Sequence, residues 1–156
     1  MNDIVLYVIL SVIVLVVLYK LFVFKIATFV LERKISKMRP SIITYLDRER
    51  KYWQEKLKKF DENDVVVRTA ILDRSIIIEN IENIDKDLEV DNKYQILKEK
   101  FRKRPRSQLG LAHNYARFLV CLDYFRGSSN VDPNFSIRVG EKKQYIYKVF
   151  EELLNA

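Results

Sequence analysis

From Ile4 to Tyr19 the chain reads IVLYVILSVIVLVVLY without a charge. As a helix rising ~1.5 Å per residue, this run covers ~24 Å, short of a ~30 Å hydrocarbon core. Carrying it on to Phe24 takes in Lys20 and brings the length to ~31 Å. Lys20 then falls within one turn of the far end, where its stem can lie along the helix while the ammonium reaches the headgroups. Lys25 follows as the first interfacial residue, and IATFVL after it, with Phe22, Phe24 and Phe29 nearby, predicts a helix continuing along the interface. Residues 1–31 therefore read as a single-pass transmembrane anchor with a juxtamembrane helix. An uncleaved anchor is favoured over a signal peptide, because there is no basic n-region, the apolar run exceeds the usual h-region and no small-x-small site follows it.

Past residue 31 the pattern becomes amphipathic. Pro40 is predicted to close the juxtamembrane segment, and Ser41 to cap a helix ending near Phe60 with the stripe Ile42, Leu46, Trp53, Leu57 and Phe60, interrupted by Arg50. Residues 61–64, DEND, predict a turn. The next segment, VVVRTAILDRSIIIENIENI, has strand propensity in its Val and Ile runs. Val67, Ala70, Ile71, Arg74, Ile77, Ile78, Ile81 and Ile84 nevertheless recur at helical spacing, which predicts a helix. Glu79, Glu82, Asp85, Asp87, Glu89 and Asp91 read as a solvated helix end plus loop, since no glycine occupies an EF-hand turn and the ligand spacing does not match.

A short helix is predicted over 92–102, with Val90, Tyr94, Leu97 and Phe101 on one face and Pro105 ending it. Ser107 is expected to cap the next helix, whose stripe is Leu111, Tyr115, Phe118, Leu122 and Phe125 and whose stop is Gly127. GSSNVDPNF reads as a loop, and a last helix over 141–154 buries Ile146, Val149, Phe150 and Leu153. The expected fold is all-α: an N-terminal single-pass transmembrane helix followed by a small bundle of four to five amphipathic helices, residues 32–156.

Charge adds orientation. The chain has 156 residues, enough for one domain, and a formal charge of +7. Lys20 and Lys25 stand against Asp3 in the first 31 residues, which leaves 26 basic and 20 acidic groups, net +6, in the remainder. Only Met1, Asn2 and Asp3 precede the span, whereas Lys20, Lys25, Arg33, Lys34, Lys37 and Arg39 lie at or beyond its far end. The positive-inside rule then predicts the N-terminus outside and the helical domain in the cytosol, or on the matrix side of an organelle membrane.

Candidate chemistry is sparse. His113 is the only histidine and no Ser, Cys or Asp partner can be placed beside it, so a surface or half-buried helix histidine is the expectation. Cys121, the only cysteine, sits among Leu119, Val120 and Leu122 and reads as a buried small apolar residue. With three glycines, Gly110, Gly127 and Gly140, a phosphate-cradling loop is disfavoured, and no zinc or nucleophile motif is present. No catalytic, metal or cofactor residue is assigned, and the expectation is a non-enzyme without a small-molecule substrate.

The most distinctive polar segment is KEKFRKRPRS. Its Lys98, Lys100, Arg102, Lys103, Arg104 and Arg106 are candidate contacts to an anionic ligand or partner, and Arg102, Arg104 and Ser107 also fit a basophilic phosphorylation pattern. An anchored chain always has a bilayer nearby, which favours lipid headgroups or an acidic partner over nucleic acid. The functional expectation is a membrane-anchored helical interaction protein, an accessory or structural subunit of a membrane complex. The alternative is a tethered module that binds anionic lipid or nucleic acid through residues 98–106.

Overall fold

A computed structural model describes residues 2–62, 68–127 and 132–156. It is helical throughout: α1 (Asn2–Glu62), α2 (Arg68–Lys100), α3 (Pro105–Gly127) and α4 (Pro133–Asn155), with no strand among the described residues. The expected all-α class holds, but the helix count differs. The apolar run and the first amphipathic helix are one continuous rod, so three further helices complete the bundle rather than four or five.

The fusion happens at Pro40, where a break was expected. A proline inside a helix removes one backbone hydrogen bond and crowds the preceding turn, at ~3 kcal/mol. Here Ile35, Ile42 and Leu46, on one face either side of it, are all buried in the bundle core. At ~1.5–3 kcal/mol per buried aliphatic side chain, that face outweighs the local cost. Ser41 is not a cap: its hydroxyl donates to the Met38 carbonyl at 2.9 Å, and Thr44 donates to the Pro40 carbonyl at 2.8 Å.

Further boundaries shift for related reasons. Asp61 and Glu62 belong to α1 rather than to a turn, while residues 63–67 lie outside the described residues. The acidic stretch expected as a helix end and loop is the interior of α2, and the helix expected at 92–102 is that same helix's second half. Pro105 opens α3 instead of closing the helix before it, a position where its missing N–H costs nothing, so Ser107 lies inside the helix. In α4 the start moves back to Pro133, with the Asp132 carboxylate accepting from the Asn134 N–H at 3.1 Å, so Pro133 to Phe135 of the expected loop are helical, while residues 128–131 lie outside the described residues.

Ion pairs set the register of the first two helices. Asp61 meets Arg74, Arg50 meets Asp85, Arg39 meets Asp91 and Glu32 meets Lys98, so α2 runs back antiparallel along α1. Like-directed helices also lie side by side: Arg106 reaches Phe24 and Arg126 reaches Tyr45 between α3 and α1, and Asp87 pairs with Lys143 and Lys93 with Glu151 between α2 and α4. α1 and α4 therefore flank the α2–α3 pair from opposite sides. In the centre Tyr94 stacks on Tyr115 with ring centroids 3.8 Å apart, beside Phe118 and Phe150. The stripe predicted on α3 is buried except for Phe125, which is 47% exposed at the far end of the bundle.

Along α1 every described side chain from residue 4 to residue 23 is exposed. Cover begins at Phe24, which is half-buried, and Thr28, which is buried. The bare part is about 20 residues, or ~30 Å, long and apolar enough to cross a hydrocarbon core.

Candidate functional site

The α2–α3 turn carries the basic segment back to the place where α1 loses its bare surface. Three backbone hydrogen bonds fold it tightly: Phe101 N–H to Leu97 at 2.9 Å, Arg102 N–H to Glu99 at 3.2 Å and Arg104 N–H to Phe101 at 2.8 Å. The six cations singled out in the sequence then divide. Lys98 lies 2.6 Å from Glu32, which also accepts from the Tyr94 hydroxyl at 3.2 Å, so its charge is spent inside the bundle. Lys100 donates to the Leu153 and Leu154 carbonyls at 3.1 and 3.5 Å, satisfying the end of α4.

The other four are exposed. The Arg106 guanidinium stands 5.3 Å from the centroid of the Phe24 ring, a cation–π contact that fixes the turn beside α1. Arg102 has only a loose, exposed contact with Glu99 at 3.9 Å, worth little in solvent. Lys103 and Arg104 are exposed and form no ion pair among the described residues. Phe101, Arg102, Lys103 and Arg104 help to line a concavity of about 500 Å³ at this end of the bundle.

A second feature opens further along α1. A groove of about 530 Å³ between α1, α3 and α4 has Ile35, Leu119 and Ile146 as its floor, with Val120 and Tyr145 exposed in its wall. Lys34, His113, Arg117 and Lys142 line its edges, and among the described residues no carboxylate does. Among the described residues none of these cations is engaged in an ion pair. Cys121 lies here too, with burial raising its thiol pKa, so it is a packed apolar group rather than a reactive one.

Family models, curated proteins and solved structures give no match.

Sequence reasoning missed a polar spine on α2. Asp91, 5% exposed, accepts two hydrogen bonds from Arg39 at 2.7 and 2.8 Å and a third from the Tyr115 hydroxyl. Asp87, 4% exposed, accepts from Lys143 at 2.7 Å and from the Tyr147 hydroxyl. Burial, then the neighbouring carboxylate, pushes the Tyr115 and Tyr147 phenols well above their ordinary pKa, and burial followed by Glu32 does the same to Tyr94. Hydrogen bonding to Asp91 raises the Arg39 guanidinium further still. Asp87, Asp91, Tyr94 and Lys98 recur at helical spacing on one α2 face, and that spacing was the available signal. Their partners satisfy them from within, so they brace the bundle rather than offer a reactive centre. Among the described residues no three metal-binding side chains converge.

Proposed function

We propose that this chain is a single-pass membrane protein whose helical bundle docks a partner subunit at the membrane surface. The bare segment of α1 is the proposed span, and the basic residues that follow it favour the cytosolic or matrix side for the bundle. The observation that carries the reading is the α1–α3–α4 groove, with its apolar floor, exposed Val120 and Tyr145, basic edges and, among the described residues, no carboxylate in its lining. Its complement is an amphipathic helix with an acidic polar face, carried by another protein of the same membrane. Because α1 is unbroken through Pro40, the groove is held at a set height above the span, as an accessory subunit's docking face requires.

The test is amine cross-linking of the full-length protein in native membranes, followed by mild detergent extraction and mass spectrometry. The reading expects a stoichiometric partner joined through Lys34 or Lys142 by an acidic amphipathic segment, and its loss in K34E/R117E/K142E. A chain recovered alone, or a partner whose attachment ignores those charge reversals, sinks it.

A further inference from the structure

The groove does not use the four exposed cations of the α2–α3 turn. We infer that this turn is a headgroup site, in which Arg102, Lys103, Arg104 and Arg106 hold the phosphates of anionic phospholipids in the leaflet from which α1 emerges. The inference rests on the membrane reading above, but not on the groove or its partner.

Position argues for it first. Arg106 stands over Phe24, the residue that ends the bare ~30 Å of α1. Lys98 pairs with Glu32, eight residues further along and therefore ~12 Å higher on the helix axis. The turn between these two tethers occupies the first ~12 Å beyond the hydrocarbon, and the headgroup layer itself is ~5–8 Å thick. A phosphate plane thus passes through the turn by construction of the fold.

Charge selects the ligand. Lys98 is paired with Glu32 and Lys100 is held by the end of α4, which leaves four exposed cations, one of them stacked on Phe24. Arginine forks suit phosphate oxygens, and Lys20 and Lys25 on exposed faces of α1 add to the same field. A patch of four cations lying against a bilayer fits a few headgroups, whereas a nucleic acid duplex would have to displace the membrane to reach it. The consequence is geometric. A single helix can rotate and tilt in a bilayer, and a second attachment beside its axis fixes both, which sets the direction in which the groove faces.

Full-length chain in phosphatidylcholine nanodiscs, with and without phosphatidylglycerol, provides the test by amide hydrogen exchange over residues 101–108. A cation near an anionic surface strengthens attachment roughly fivefold, so Arg102, Lys103 and Arg104 together give on the order of a hundredfold. The expected result is slower exchange of the turn only in anionic discs, abolished in R102E/K103E/R104E and kept in R102K/K103R/R104K, with core amides of α2 and α4 unchanged as proof of folding. Equal exchange in the two kinds of disc overturns the inference. Protection in zwitterionic discs on adding inorganic phosphate also overturns it, because free phosphate is then the ligand. A chain that alkaline carbonate strips from the discs fails the membrane reading itself, which is a separate outcome.

Discussion

Replacing Asp91 by Ala removes the acceptor on which three helices converge. Tyr115 is left with a fully buried hydroxyl whose acceptor is gone, at ~1–3 kcal/mol. Arg39 loses both of its charge-assisted bonds, but its side chain is 39% exposed and water can replace part of what is lost, so its share is discounted to ~1 kcal/mol. Together the variant is expected to lose ~3 kcal/mol, or about 10 °C in the melting temperature of a bundle this size. Half-buried Trp53 on α1 provides the fluorescence signal, with the full-length protein unfolded by urea in detergent micelles. The companion variant R39M/D91L/Y115F removes every member of the cluster at once and leaves no orphan, so it is expected to fall within ~1 kcal/mol of the natural protein. A D91A loss below ~1 kcal/mol, or a triple variant as unstable as the single one, would refute the view that pairing rather than polarity is what the bundle needs.

Three other outcomes follow from particular residues. The raised phenols of Tyr94, Tyr115 and Tyr147 stay protonated in the fold while the unfolded chain ionises above about pH 10, so stability is intact below that pH and falls as pH climbs toward the folded values. The slope is up to ~1.4 kcal/mol per pH unit for each phenol, smaller for half-buried Tyr147, and a urea midpoint that stays flat between about pH 9 and about pH 11 contradicts it. Pro40→Ala restores a backbone donor inside a helix that already exists, and is expected to raise stability by ~1–2 kcal/mol in the same assay; a loss would mean the proline sets a bend the bundle requires. Asp132→Ala removes the α4 cap at ~1 kcal/mol, seen as faster amide exchange in the first turn of α4 with the rest of the bundle unaffected.

Periodicity alone revealed what burial decides. The uncharged run at the N-terminus, the α3 stripe of Leu111, Tyr115, Phe118 and Leu122, and Ile146 and Phe150 on α4 all fall where the spacing puts them, because each depends only on neighbours three or four residues away. Continuity through Pro40 was hidden, since it depends on α2 and α3 packing against Ile35 and Ile42. The acidic interior of α2 was hidden for a similar reason: the groups that neutralise Asp87 and Asp91 lie 56 and 52 residues away, on α4 and α1. At the basic turn the composition was plain, but the loss of Lys98 to Glu32 and of Lys100 to the end of α4 is visible only once the helices are assembled.

With its bare segment in a bilayer, α1 acts as a lever. The portion from Phe24 to Glu62 extends ~58 Å beyond the hydrocarbon, so a tilt of ~10° in the span carries its tip sideways by ~10 Å. A thinner membrane that makes the span lean thus swings Trp53 and the distal end of the bundle across the surface, while the groove near Ile35, close to the fulcrum, moves only a few ångströms. Under the proposed membrane reading, bilayer thickness becomes a mechanical input, amplified by one uninterrupted helix.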